Sequence, residues 1–264
     1  MKRSRLPMAV AAAVLVFFYL PIAVLVGNSF NASRFGGRWQ GFSLRWYARL
    51  FREPEIWAAA RNTLVIAVIA TAVSLVLGTL AAFALHRFSG SKLQRAHYTL
   101  IYTPLVVPEI LMGISLLMAF VAAGIGLGLT TIILAHITFC ISYVALTVLG
   151  RLQDFDFTVV EAARDLGAGT AVTVRRVLLP LLAPGLAAGG LLAFTLSVDD
   201  FVITFFVAGA GGTTLPIRVY SMIKHGATPL INALSPLLLA LTFTTVLVSQ
   251  RLSASGSLKS RTME

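Results

Sequence analysis

Six apolar runs constrain this 264-residue chain more than any other feature of it. Each approaches the roughly 20 residues that an α-helix needs to cross a bilayer. They lie at about Pro7–Gly27, Asn62–Leu85, Tyr98–Ala122, Thr130–Leu149, Leu182–Val207 and Ile231–Gln250. Hydrocarbon offers no water to backbone N–H and C=O groups, so runs of this length read as helices, which satisfy those groups internally. Only 12% of the residues are charged, about half the share usual in a soluble domain. The expectation is an all-α integral membrane protein of six transmembrane helices, forming one domain over residues 1–264. The first run follows Lys2, Arg3 and Arg5 and resembles a secretory signal, but it is too long and no A-x-A site follows, so it reads as an uncleaved span.

The same composition excludes much. A single cysteine, Cys140, lies within an apolar run and rules out disulfides and thiolate metal sites. Four histidines (His86, His97, His136 and His225) are scattered, without a second ligand at metal spacing. His136 reads as a core residue bonded to a neighbouring helix, with a pore role as the alternative. No nucleophile elbow or zinc-protease motif is present, and no G-x-x-x-x-G-K-[ST], so the chain has no phosphate-binding loop for ATP. The net charge of +11 fits anionic lipid head groups and not nucleic acid. With the N-terminus inside, thirteen of the 21 Lys and Arg residues fall on the inner side and eight on the outer. That bias puts both termini in the cytoplasm.

Three of the ten carboxylates fall within spans: Glu109, Asp199 and Asp200. A charge at mid-bilayer costs about 2.5–3.5 kcal/mol or more, and no Lys or Arg lies within a span to pair with these. They therefore read as lining a water-filled path for a cationic solute. Pro104 and Pro108 interrupt the third span just before Glu109, as expected where backbone lines a cavity. Asp199 and Asp200 are about 100° apart on a helix, so one should face the path while the other braces a neighbour or lies at the rim. Thr195, one turn before Asp199, extends the polar stripe, and Tyr102 offers a cation–π face. These residues leave open a channel, a secondary transporter, or the membrane half of a machine whose motor is another chain.

Between the first two spans, Trp39, Trp46, Tyr47 and Trp57 alternate with arginines. Ser43 is placed to cap a short helix carrying Leu44, Tyr47, Leu50 and Phe51 on one side, and this reads as an amphipathic helix at the outer interface. The outer segment near 208–230 opens with Gly209, Gly211 and Gly212, then Leu215-Pro216. It is expected to be flexible at its start and to reach toward a partner.

The stretch Glu161–Pro180, EAARDLGAGTAVTVRRVLLP, is the long charged interruption between the fourth and fifth spans. Thr158, three residues before Glu161, has capping-box spacing. Gly167 supplies a left-handed residue to end the helix. Thr170 is placed to cap a second short helix running to Leu179, with Pro180 opening the next segment. Glu161-Ala162-Ala163-x-x-x-Gly167, followed after nine residues by Val177-x-Leu179-Pro180, resembles the EAA loop of ABC importer permeases. The resemblance extends through Asn28–Asn31, Trp39–Phe42, His136–Cys140, Phe194–Ser197 with Asp199-Asp200, and Tyr220–Met222, which look like the polyamine permeases of that family. Glu109 departs from the aspartate of the family pattern, and the Gly209–Gly212 stretch departs as well.

This resemblance implies a type I ABC importer permease fold in a bacterial inner membrane. The loop 158–180 would be a coupling helix docking into a separate ATPase, with Glu161, Ala162, Ala163, Gly167, Leu179 and Pro180 at the contact. It implies a complex of two related permeases, an ATPase dimer and an extracytoplasmic polyamine-binding protein. ATP would be bound by the partner, and this chain would be no enzyme and carry no cofactor. Glu109, Asp199 or Asp200, Thr195 and Tyr102 would pass spermidine or putrescine inward. An importer of another cationic solute is the alternative.

Overall fold

The computed structural model describes residues 6–34, 38–88, 90–226, 229–240 and 242–244. Its helices are α1 (Leu6–Ser29), α2 (Arg45–Phe51), α3 (Pro54–Arg87), α4 (Lys92–Val106), α5 (Glu109–Ala122), α6 (Leu129–Gln153), α7 (Thr158–Asp165), α8 (Thr170–Thr173), α9 (Leu179–Asp199), α10 (Val202–Val207) and α11 (Leu215–Lys224). Among the described residues, four stretches are long and apolar enough to cross a membrane: Pro7–Ser29, Pro54–Arg87, Leu129–Gln153 and Thr170–Asp199. The bent pair α4–α5 makes a fifth when its two helices are counted as one span. Residues 229–240 and 242–244 are helical. The rest of the expected sixth span, to Gln250, lies outside the described residues.

Two expected spans are broken. The run Tyr98–Ala122 is two helices meeting at 112°. Pro108 has no N–H to donate and holds Val107 extended, at φ −69° and ψ 129°, so α4 ends there and α5 starts afresh at Glu109. The run Leu182–Val207 ends as a helix at Asp199; Asp200 is extended at φ −61° and ψ 122°, and the short α10 follows.

The residues fall into two compact units, one of Ala58–Arg218 and the other of the segments on either side. In the first, α6 is central. Ile132, Ala135 and Phe139, and then Cys140, Val144, Val148 and Leu152, recur at three- and four-residue steps and are all buried. Lipid tails are as apolar as leucine, so helices in a membrane associate through close packing and not through burial from water. Small residues accordingly line these contacts. A Cβ on Gly78 of α3 would stand 2.8 Å from the Val144 Cβ, and one on Gly189 of α9 would meet Val144 and Thr147 at 3.5–3.6 Å. Gly185 and Gly189 form a G-x-x-x-G spacing on α9.

The glycine-rich segment after α10 is not free to reach outward. A Cβ on Gly209 would collide with the Leu127 carbonyl. Asn62 Nδ2 donates to the carbonyls of Thr213 at 3.0 Å and Gly211 at 3.4 Å, and Leu215 N donates to Thr63 Oγ1 at 2.8 Å. The glycines serve close approach and a turn, and the start of α3 ties the segment down.

In the other unit, buried Asn31 organises the loop after α1. Its Oδ1 accepts from Ser33 N and Gln40 N, both at 3.0 Å, its Nδ2 donates to the Arg38 carbonyl, and its carbonyl accepts from Trp46 Nε1 at 2.9 Å. The side of α2 that packs carries Trp46 and Leu50, both buried; of the expected side Leu44, Tyr47, Leu50 and Phe51, Leu50 is buried and Tyr47 is half-buried against Phe30, while Leu44 and Phe51 are exposed. Ser43 Oγ accepts from Arg45 N at 3.2 Å, supporting the turn into α2.

The close contact at Gly78 is directly testable. Gly78→Ala is expected to lower stability by about 1–3 kcal/mol through overpacking against Val144. Gly150→Ala, where no atom lies within 4 Å of the added carbon, should be neutral or slightly stabilising. Thermal unfolding of the detergent-solubilised protein would compare the two, and equal effects would contradict the packing described.

Candidate functional site

Both helix breaks open onto one place. Glu109 is the first residue of α5, where a carboxylate meets the positive end of the helix dipole. Asp199 is the last residue of α9. The two helices that follow the breaks, α5 and α10, lie against each other. Gly113, one turn after Glu109, lets α10 approach until a Cβ there would stand 2.7 Å from the Phe206 ring and 3.4 Å from the Ile203 Cα. The result is a cleft of about 250 Å³ whose walls include Pro104, Glu109, Met112, Phe139, Tyr143, Leu196, Asp199, Asp200 and Phe201. Three carboxylates line it and, among the described residues, no lysine or arginine does.

The adjacent aspartates have different surroundings. Asp199 is exposed. The Asp200 side chain is only 7% exposed and its oxygens are occupied. Oδ2 accepts from Thr204 N at 2.8 Å and from Thr204 Oγ1 at 2.6 Å, and Oδ1 from Ile203 N at 3.3 Å. His136 Nε2 lies 3.3 Å from Oδ2. Asp200 thus satisfies N–H groups that the start of α10 leaves without helical partners. The expectation that a span acid had no internal partner counted only Lys and Arg. The partner is a histidine.

His136 itself is a buried core residue bonded to neighbouring helices, as the first of its two readings held. Its Nδ1 is 2.7 Å from Ser197 Oγ and its Nε2 is 2.9 Å from Thr204 Oγ1. Thr131, also on α6, donates to the Val207 carbonyl at 2.8 Å, so α6 holds α10 near both ends.

Two expected residues stand apart from the cleft walls. Thr195 Oγ1 bonds back to the Leu191 carbonyl of its own helix at 2.8 Å. Tyr102 is stacked on Tyr98, with ring centroids 5.7 Å apart, on the exposed side of α4. Phe139 and Tyr143 line the cleft instead. Their spacing, 136–139–143 on one face of α6, was visible in the sequence as a helical stripe pointing the same way as His136.

The second group of expected residues lies on α7 and after it. The start of α7 is not the expected Thr158 cap: Thr158 is the first helical residue, and its N–H donates to Asp156 Oδ1 at 3.0 Å. Hydrogen bonds from the Thr158 side chain and N–H hold the Asp156 carboxyl below its ordinary range. Gly167, at φ +83°, ends the helix as expected. Its N–H donates to the Arg164 carbonyl at 2.8 Å, and Ala168 N donates to the Ala163 carbonyl at 3.0 Å, the paired bonds of a Schellman turn. Thr170 does not cap a separate short helix. α8 runs through a π turn (Val174–Leu178) into α9 as one 30-residue helix. Pro180 cannot donate to the Arg176 carbonyl and its ring crowds it, and the widened turn lies immediately before. Glu161 and Ala162 are exposed, no residue of α7 is buried, and Leu166 just beyond is 89% exposed. His86 at the end of α3 stacks on Phe157 at 5.0 Å, fixing the entry to α7.

Comparison with known proteins places this arrangement. Residues 74–254 match the model of the family described as "Binding-protein-dependent transport system inner membrane component". The spermidine/putrescine transport system permease protein PotC of Escherichia coli (strain K12) is 42% identical over 240 residues, covering 90% of each chain. The putrescine transport system permease protein PotI of the same strain is 42% identical over 229 residues, covering 84% of this chain and 82% of that one. Among solved structures, a chain of a bacterial alginate ABC transporter in complex with a pentasaccharide-bound periplasmic protein superposes with a TM-score of 0.73. It has 16% identity, over 96% of this chain and 95% of that one, and shares the fold. A helical chain with bilayer-length apolar segments, matched over most of its length, belongs to the inner membrane components of binding-protein-dependent transport systems.

Proposed function

We propose that this chain is the permease subunit of an ATP-driven importer that carries polyamines, spermidine or putrescine, into the cytoplasm. The observation that carries the reading is the cleft lined by Glu109, Asp199 and Asp200 and, among the described residues, by no lysine or arginine. Carboxylates held at helix breaks within apolar spans suit a solute with ammonium groups and an alkyl body. Phe139, Tyr143 and Phe201 add aromatic surface for both parts. The named cargoes of the relatives at 42% identity are consistent with it.

The chain is a membrane component and not an enzyme; ATP hydrolysis falls to a separate ATPase dimer. Both termini and α7 are assigned to the cytoplasm on the charge bias. There, Glu161, Ala162, Ala163 and Gly167 would dock into the ATPase, with Leu179 and Pro180 holding the base of the loop. The exposed Leu166 and the unburied face of α7 support a partner at this point. A second, related permease completes the path, and an extracytoplasmic binding protein delivers the polyamine. ATP closure of the motor would draw the loops together and open the cleft outward, which requires that the motor and the cargo each bind the two conformations unequally. Inside the path, ammonium groups would pass between Glu109 and Asp199. Thr195 and Tyr102, outside the cleft walls in this structure, belong to the path only if the second permease or another conformation brings them to it.

The test is uptake of labelled spermidine into proteoliposomes holding the complete transporter, with putrescine as competitor. Uptake that proceeds without the ATPase would overturn the reading. Asp199→Asn and Glu109→Gln should each lower uptake about tenfold, the loss of one charge-assisted contact of roughly 1.4 kcal/mol, with ATPase co-purification intact. Full uptake in both variants would contradict the acidic path. Glu161→Ala should weaken ATPase co-purification. Gly167→Pro should abolish it, because proline's fixed negative φ cannot occupy the +83° turn.

A further inference from the structure

Asp200 is the more buried of the two adjacent acids, and something distant in sequence holds it there. Ser197 and Thr204, 61 and 68 residues from His136, stand on opposite sides of the break between α9 and α10. His136 reaches both. The directions of the hydrogen bonds follow from counting hydrogens. The Thr204 hydroxyl donates its one hydrogen to Asp200 Oδ2 at 2.6 Å, so toward His136 it can only accept. Nε2 therefore carries the ring hydrogen and donates to Thr204 Oγ1 at 2.9 Å. With a neutral ring, Nδ1 accepts from the Ser197 hydroxyl at 2.7 Å. The chain Ser197 to His136 to Thr204 to Asp200 runs in one direction with every hydrogen used.

We propose that His136 is the positioning residue of the cleft: it clamps the α9–α10 break, keeps Asp200 engaged with the protein, and leaves Asp199 and Glu109 as the carboxylates that meet a cationic cargo. This rests on the polyamine-importer reading above and adds to it a division of labour among the three acids. Asp200 Oδ2 accepts two hydrogen bonds from Thr204 with His136 beside it, and Oδ1 accepts one from Ile203 N, so most of its acceptor capacity is already used within the protein. Asp199 is exposed and sits at the C-terminus of α9, where the negative end of the helix dipole and the last carbonyls reinforce its attraction for a cation. A straight helix would turn the two acids about 100° apart without freeing those carbonyls. The break provides both, and His136 is the side chain that bridges it.

The experiment measures labelled spermidine uptake against concentration in proteoliposomes of the complete transporter, normalised to assembled complex. His136→Leu introduces an apolar side chain of comparable size and removes both bonds. The concentration for half-maximal uptake should rise about tenfold, while maximal rate changes less than about threefold. His136→Gln retains a donor and an acceptor and should stay within about threefold of the unaltered protein. The double variant His136→Leu with Asp200→Asn should be no worse than the more impaired single variant, because the two residues act through one chain of bonds. Thr204→Val, which removes the middle link, should resemble His136→Leu and serves in its place if that variant does not assemble. An unchanged half-maximal concentration in both His136→Leu and Thr204→Val would overturn the proposal. So would multiplicative effects in the double variant, or His136→Gln as impaired as His136→Leu. Lack of ATP-dependent spermidine uptake by the unaltered transporter would instead overturn the polyamine reading itself.

Discussion

A helix broken inside hydrocarbon must find partners for the backbone groups that the break frees, and this requirement governs the arrangement around the cleft. Non-helical backbone at membrane depth persists only where protein or a water-filled cavity covers it. The two breaks differ in how they meet it. Pro108 stands at the N-cap of α5 and has no N–H that would need a partner there. Asp200 ends α9 and accepts N–H groups of the following turn. The helices beyond the two breaks then pack on each other at Gly113, which brings Glu109 and Asp199 to one cleft.

The cleft depends in turn on α6. Its buried stripe packs on α9 through Gly189 and on α3 through Gly78, and its polar residues Thr131 and His136 bond α10. Apolar packing alone specifies few directions in a membrane, since lipid competes for every surface on nearly equal terms. The bonds of His136 supply direction. They cross between helices and are buried, where a hydrogen bond is stronger than in water. A single side chain on a rigid helix thus sets the geometry of a site formed by two shorter, interrupted ones.

The α7 region follows the opposite logic. It is capped by Asp156, closed by the left-handed Gly167 and entered beside the His86–Phe157 stack, so its own backbone groups are satisfied locally. Almost nothing in it is buried. Its surface is open, with the apolar Leu166 left exposed just beyond the helix. Its character was legible: Gly167 was readable as the helix stop because a residue at positive φ is favoured only where no Cβ interferes. The start was misplaced by one residue: Phe157 holds the N-cap position and Asp156 accepts from Thr158 N, a choice that only the chain path makes.

By itself, the sequence determined the class of protein, the positions of the apolar segments, the proline that ends α4, the turn at Gly167 and the presence of three acids within apolar runs. Each is a local property: hydropathy, a missing N–H, a missing Cβ, an uncompensated charge. Only the tertiary structure decided that Asp200 is engaged and Asp199 displayed, that Thr195 and Tyr102 stand outside the cleft walls, and that the Gly209–Gly212 segment is held down. Adjacent aspartates have the same chemistry in a sequence. What separates them is a histidine more than 60 residues away, brought to the break by the packing of α6, and long-range contact of that kind leaves no local signal to read.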